Sequence, residues 1–139
     1  MPRTQWRTLI TDSDPVSRTA VHQLLAEFGL RADYVRSGSD AVAVHRRDPY
    51  DIIFMGCHTR DIDGYRAAAR IREIEGSGQH VWIVAMTEHA TQSDLRKCLK
   101  TGMDDCVCRT VTRKGLHEAL GRCEAALSAA DAPPLAAVR

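Results

Sequence analysis

"YDIIFMGCHTRDIDG", residues 50–64, has the form of a buried strand running into a loop. Ile52 to Met55 are apolar without interruption, and the run stops at Gly56 before a polar stretch that holds Asp61 and Asp63. A continuous apolar run, as opposed to an alternating one, fits a strand covered on both faces, as in a parallel sheet. In such sheets the side chains that do chemistry sit at the carboxyl ends of the strands. Here that end is Gly56, which has no side chain to deliver.

Outward from this strand the chain alternates strand and helix. "RTLIT" (7–11) is a short strand, and Asp14-Pro15 then supplies an N-cap and a proline at the first helical position. Val16, Ala20, Leu24 and Phe28 fall on one helical face, and Gly29 stands where a helix stops. "RADYVR" (31–36) is a second strand, and 40–47 a helix with Ala41, Val44 and His45 on one side, ended by Asp48-Pro49. After the opening strand, a helix over 65–75 carries Ala67, Ile71 and Ile74, and "EGSGQ" turns into the strand "VWIVAMT" (81–87). A helix over 91–102 starts with a T-x-x-D box and ends at Gly102. "CVCRT" (106–110) is the fifth strand, and 113–128 a fifth helix with Leu116, Ala119, Leu120, Cys123 and Leu127 on its apolar face. Five β-α units of this kind imply a parallel sheet covered by helices on both faces. The pattern fills residues 1–130, and "DAPPLAAVR" (131–139) reads as a linker or disordered tail.

The 139 residues suit one domain with a real core, and 44% apolar and 27% charged residues are ordinary for a globular protein. A net charge of +1, with scattered arginines, gives no electrostatic reason to expect a nucleic acid or an anionic membrane as partner. The five cysteines have no disulfide-framework spacing, no leader is evident, and no apolar run could cross a bilayer. Reduced thiols in a cytoplasmic setting are therefore expected.

The strand ends carry Asp12, Ser13 and Asp14; then Gly56, Cys57 and His58; Thr87 and Glu88; and Arg109 and Thr110. With "LITDSDPVSR", "YDIIFM", "DGYRAAARIRE", "IVAMTEHA" and "KCLKTGMDDCVCRTV" in order and at the expected spacing, residues 6–128 resemble a response-regulator receiver domain. The resemblance implies a flavodoxin-like (βα)5 doubly wound parallel sheet of strand order 2-1-3-4-5. It also implies two-component signalling with a histidine kinase or an adjacent domain as partner. In standard receivers two acids after the first strand hold Mg²⁺, and an Asp ending the third takes a phosphoryl group. A Thr or Ser after the fourth strand and a Lys ending the fifth bind the phosphoryl oxygens. That chemistry is mostly positioning and charge neutralisation, so it needs a nucleophile, a divalent cation and a fixed positive charge.

Carried over by position, Asp12 matches the first metal acid, Ser13 stands at the second, and Asp14 is displaced by one. Gly56 replaces the acceptor Asp, Thr87 keeps the hydroxyl, and Arg109 replaces the Lys. Thr110 replaces a Pro, Cys106 the aromatic that answers the Thr, and the Met-Pro usual before Asp63-Gly64 is missing. Glycine can form no acyl phosphate and ligate no metal through a side chain. The expectation is a degenerate receiver, not an enzyme and with weak or absent Mg²⁺ binding, that acts as a protein–protein or intramolecular module. Arg109 is expected to take the metal's place beside Asp12 or Asp14. The face from 91 to 128 offers Arg96, Lys97, Lys100, Cys106, Arg113 and Lys114 as partner contacts.

The alternatives are a receiver with a displaced acceptor (Asp61, Asp63 or Asp12) and a sensor of a small ligand such as a nucleotide second messenger. Asp63 is better read as the N-cap of the following helix. Cys57-His58 near Asp12 lacks any paired-ligand motif for a transition metal, and Cys98 and Cys108 are expected to be packing residues.

Overall fold

Side chains alternate across a strand, so the apolar runs of this chain feed two separate cores. The computed structural model describes residues 5–57, 62–76 and 80–131. Its strands are β1 (Thr8–Thr11), β2 (Ala32–Val35), β3 (Ile52–Gly56), β4 (Trp82–Thr87) and β5 (Asp105–Cys108). They alternate with helices α1 (Pro15–Glu27), α2 (Gly38–Arg47), α3 (Gly64–Glu75), α4 (Gln92–Lys100) and α5 (Arg113–Asp131). All neighbouring strands are parallel, in the order β2-β1-β3-β4-β5, which is the flavodoxin-like arrangement expected.

On one face Ile10, Ile52, Phe54, Val84 and Met86 pack with Val21 and Leu25 of α1 and with Leu116, Leu120 and Cys123 of α5. On the other, Leu9, Ile53, Met55, Ile83 and Ala85 pack with Ala41 of α2, Ala67 and Ile71 of α3, and Cys98 of α4. The strand order reverses between β1 and β3, so the crevice of such a sheet opens beside Asp12 and Gly56.

The helix starts match their local chemistry. Asp14 caps α1 ahead of Pro15, Asp63 caps α3 through Arg66 N–H, and Thr91 and Asp94 form a reciprocal capping box on α4. Gly29 and Gly102 take positive φ values of 82° and 100° just past α1 and α4, a conformation glycine adopts without steric cost.

Other expectations are corrected. In α1 the buried row is Arg18, Val21 and Leu25, whereas Val16 is 76% exposed, Ala20 is exposed, and Leu24 and Phe28 are half-buried. Arg18 sets this phase, because its guanidinium turns inward to the Asp12 carbonyl at 3.0 Å. Apolarity alone could not place an arginine in that row. Ile74 likewise sits at the exposed margin of α3.

Strand β5 begins and ends earlier than 106–110, since Asp105 is buried in it with its carboxylate paired to Arg122 at 2.6 Å. Cys108 then points to solvent and donates to the Glu88 carbonyl, so of the two cysteines taken for packing residues Cys98 alone is buried. Helix α5 continues to Asp131, three residues past the end expected at 128. The rest of the tail, 132–139, lies outside the described residues, as do His58, Asp61 and most of the "EGSGQ" turn.

Candidate functional site

The ends of β1, β3 and β4, and the residue after β5, meet at one edge of the sheet. Asp12 follows β1 with its carboxylate buried, and Oδ1 accepts the Asp14 N–H at 3.0 Å. Its Oδ2 is buried and accepts no hydrogen bond from the described residues. Asp14 is used twice: Oδ1 accepts Val16 N–H at 3.0 Å as the helix cap, and Oδ2 accepts the Ser17 hydroxyl at 3.2 Å. Ser13, between them, adds no charge.

Gly56 closes β3. A Cβ placed on it would lie 2.9 Å from the Thr11 carbonyl oxygen and 3.9 Å from the Asp12 carboxyl carbon. The position therefore faces Asp12, as an acceptor residue would, but the β1 backbone has closed to a distance that a side chain would not allow. Gly64 supports it from behind, where a Cβ would lie 2.3 Å from the Gly56 carbonyl oxygen.

Thr87 ends β4, buried, and its hydroxyl oxygen accepts Ala90 N–H at 2.9 Å. Ala90 adopts a left-handed φ of 50°, an uncommon conformation for a residue with a Cβ, and so holds the loop after Thr87 under strain. Arg109 follows β5, its N–H bonded to the Thr87 carbonyl. Its guanidinium lies 3.8 Å from Asp12 and 4.0 Å from Asp14, but the direct hydrogen bond is to Glu88 at 3.1 Å. Glu88, with the two aspartates behind it, raises the Arg109 pKa above the usual guanidinium value.

The structure thus brings Asp12, Ser13, Asp14, Gly56, Thr87 and Arg109 to one edge. Glu88 was missed as a partner, although it follows Thr87 directly and could have been suspected from that. Asp63 spends its Oδ1 on Arg66 N–H at 2.8 Å. Among the described residues no group of three or more His, Cys, Asp or Glu side chains could hold a metal ion.

The residues offered as a partner face do not form a single patch. Arg96 and Lys100 are exposed on α4 beside Leu99, which is 52% exposed. Lys97 leans the other way, over the Tyr65 ring at 4.3 Å. Arg113 makes a bidentate pair with Glu27 of α1 at 2.9 and 3.0 Å, and Lys114 is exposed next to it. Cys106, in β5, is half-buried and lines a groove with Thr91, Gln92 and Leu95. Among the described residues no helix is long and apolar enough to cross a membrane.

Comparison with known proteins agrees with this fold. The receiver domain of the sensor histidine kinase PA1611 from Pseudomonas aeruginosa PAO1 was solved with a magnesium ion in its active site cleft. It is 35% identical with a TM-score of 0.74, over 84% of this chain and 95% of that one. The receiver domain of the histidine kinase CKI1 from Arabidopsis thaliana, complexed with Mg²⁺, gives 25% identity and a TM-score of 0.76 over 84% and 90%. Sensor histidine kinase RcsC of Salmonella typhi is 30% identical over 112 residues, which is 81% of this chain but 12% of the length of that protein. The family model of the response regulator receiver domain matches residues 8–121, and the chain belongs to that family.

Proposed function

We propose that this domain is a receiver that takes no phosphoryl group by the usual route and acts as a regulatory binding module in two-component signalling. Its setting is the cytoplasmic part of a histidine kinase or multidomain regulator, and its partner is a phosphotransfer protein or an adjacent domain of the same chain. It binds through protein surfaces, not nucleic acid, and catalyses no reaction of its own. The observation that carries this reading is Gly56: the acceptor position holds no carboxylate, and the Thr11 carbonyl stands where a side chain would need room.

The remaining groups do not suit Mg²⁺. That ion takes octahedral oxygen coordination and is usually held by one or two carboxylates. Among the described residues Asp12 Oδ2 is a buried carboxylate oxygen with no hydrogen-bond partner, Asp14 is committed to its helix cap, and the Arg109 cation lies 3.8 Å from Asp12. Arg109 supplies a positive charge beside Asp12 and Asp14, in the place a metal would take. Regulation then comes from any partner that binds two conformations of the domain unequally.

The test is incubation of the purified domain with acetyl phosphate and Mg²⁺, read by intact-mass spectrometry. The expected mass is unchanged. A stoichiometric gain of about 80 Da, the mass of one phosphoryl group, would overturn the proposal, and mapping it to Asp61, Asp63 or Asp12 would identify a displaced acceptor. Calorimetric titration with Mg²⁺ alone is expected to show no saturable binding in the micromolar range.

A further inference from the structure

Helix α1 turns a charged side chain inward, and a cavity opens beside it. Arg18 is 9% exposed, and its Nη1 donates to the Asp12 carbonyl oxygen at 3.0 Å. The guanidinium carbon lies over the Tyr34 ring, 4.9 Å from its centre. Among the described residues these are its contacts, and no carboxylate pairs with it. The contrast is with Arg72, which meets both Glu75 and Asp104. An arginine keeps its charge in any protein setting, and a buried charge without a counter-ion is costly. Against Arg18 lies a cavity of about 180 Å³, lined by Arg18, Thr19, His22 and Tyr34. The last three are exposed, so the cavity opens to solvent.

We propose that this cavity, between α1 and the edge strand β2, binds a nucleotide whose phosphate pairs with Arg18 and whose base stacks on Tyr34. The planar guanidinium fork matches phosphate oxygens, and a phosphate supplies the counter-ion that the protein leaves out. At the mouth, the Thr19 hydroxyl and the His22 ring are further hydrogen-bonding groups. Tyr34 is 57% exposed although Arg18 lies against one face of its ring, which leaves a platform for a second planar group. Arg36, two positions on and exposed, adds positive charge at the same edge of the sheet. A single buried cation, in a chain of net charge +1 with scattered arginines, suits a small molecule and not a polymer backbone.

The site also reaches the edge that holds Gly56. Arg18 holds the Asp12 carbonyl, so a bound phosphate and the end of β1 share one guanidinium. A nucleotide there is the unequal binder through which the domain is regulated. That use rests on the function proposed above, whereas binding itself does not. Nucleotide binding by a domain that still gains a phosphoryl group would overturn that function and leave this site standing.

The experiment is calorimetric titration of the purified domain, at fixed ionic strength, with adenosine and guanosine monophosphates and the cyclic dinucleotides of both bases. Adenosine, guanosine and inorganic phosphate are the controls. The expected result is saturable binding of at least one nucleotide, with its nucleoside and inorganic phosphate each weaker by about tenfold or more. Tyr34→Ala should weaken that binding by about tenfold or more, and Arg18→Met should abolish it. Tyr34 is exposed, so its variant decides the matter even if Arg18→Met fails to fold. No saturable binding up to millimolar nucleotide, unchanged affinity in Tyr34→Ala, or inorganic phosphate binding as tightly as any nucleotide would overturn the proposal.

Discussion

At Gly56 a missing side chain and a backbone contact are one feature. The end of β3 carries no carboxylate, and the Thr11 carbonyl oxygen of the neighbouring strand lies 2.9 Å from where a Cβ would be, closer than a Cβ permits. Restoring a side chain therefore means moving backbone, since Thr11 is fully buried and fixed by pairing to Met55. Gly56→Ala is expected to destabilise the domain by about 1–3 kcal/mol, the usual cost of overpacking a filled interior. The drop should appear as a lower urea midpoint with an unchanged slope. Gly56→Asp carries the same steric cost, so it should lower the melting temperature and not simply rebuild an acceptor. Equal or higher stability in Gly56→Ala would show that β1 yields easily and that the position is merely empty. The glycine was plain in the sequence. The closure was not, because it depends on the register between two strands more than forty residues apart.

At the level of elements, apolar strands and helix caps were legible because each is written in a few adjacent residues. Asp14-Pro15, Thr91 with Asp94, and Asp63 before Gly64 all cap as read. What could not be read was any element whose phase depends on a charged residue turned inward, such as Arg18 in α1 or Asp105 in β5. In helix α2, by contrast, the sequence places His45 on the same side as Ala41, and it is 5% exposed. Its Nδ1 accepts Tyr50 N–H at 3.0 Å, so the neutral ring carries its proton on Nε2, which lies 3.6 Å from Glu75. Protonating the ring would cost the Tyr50 hydrogen bond. Burial outweighs the attraction of Glu75 and holds the His45 pKa below the usual histidine value. The unfolded chain therefore binds this proton first as the solution is acidified. Stability is fully present above the unfolded value of about 6.5 and is lost as pH falls from there toward the folded value. Melting temperatures between pH 8 and pH 5 are thus expected to fall more steeply in the wild type than in His45→Gln. Parallel curves would remove His45 from the account.

Over the whole molecule, the two ends of the sheet are built to different standards of satisfaction. At the end away from Gly56, Arg72 donates to the Gly102 carbonyl at 2.7 Å, to Glu75 at 2.7 Å and to Asp104 at 2.8 Å. Glu75 in turn accepts Val81 N–H, and Asp104 accepts Ile83 N–H, so one guanidinium anchors α3, the start of β4 and the loop before β5. Arg72, Glu75 and Asp104 are 18%, 4% and 12% exposed. At the Gly56 end Arg109 is 34% exposed, its one short contact is to Glu88, itself 58% exposed, and Asp12 keeps an unpaired oxygen. Removing a partner from a buried network leaves uncompensated charge and costs about 3–5 kcal/mol, whereas a solvent-screened pair is worth no more than about 1 kcal/mol. Arg72→Met should therefore lower the unfolding free energy by about 3 kcal/mol or more, and Arg109→Ala by less than about 1 kcal/mol. Urea denaturation of both at equal ionic strength checks this, and added salt should shrink the Arg109 effect but not the Arg72 effect. Equal losses would mean that the Arg109 cluster is a structural anchor like the other. The expected inequality fits a domain whose stability lies at one pole and whose adjustable surface lies at the other, where a partner can bind without having to break the fold.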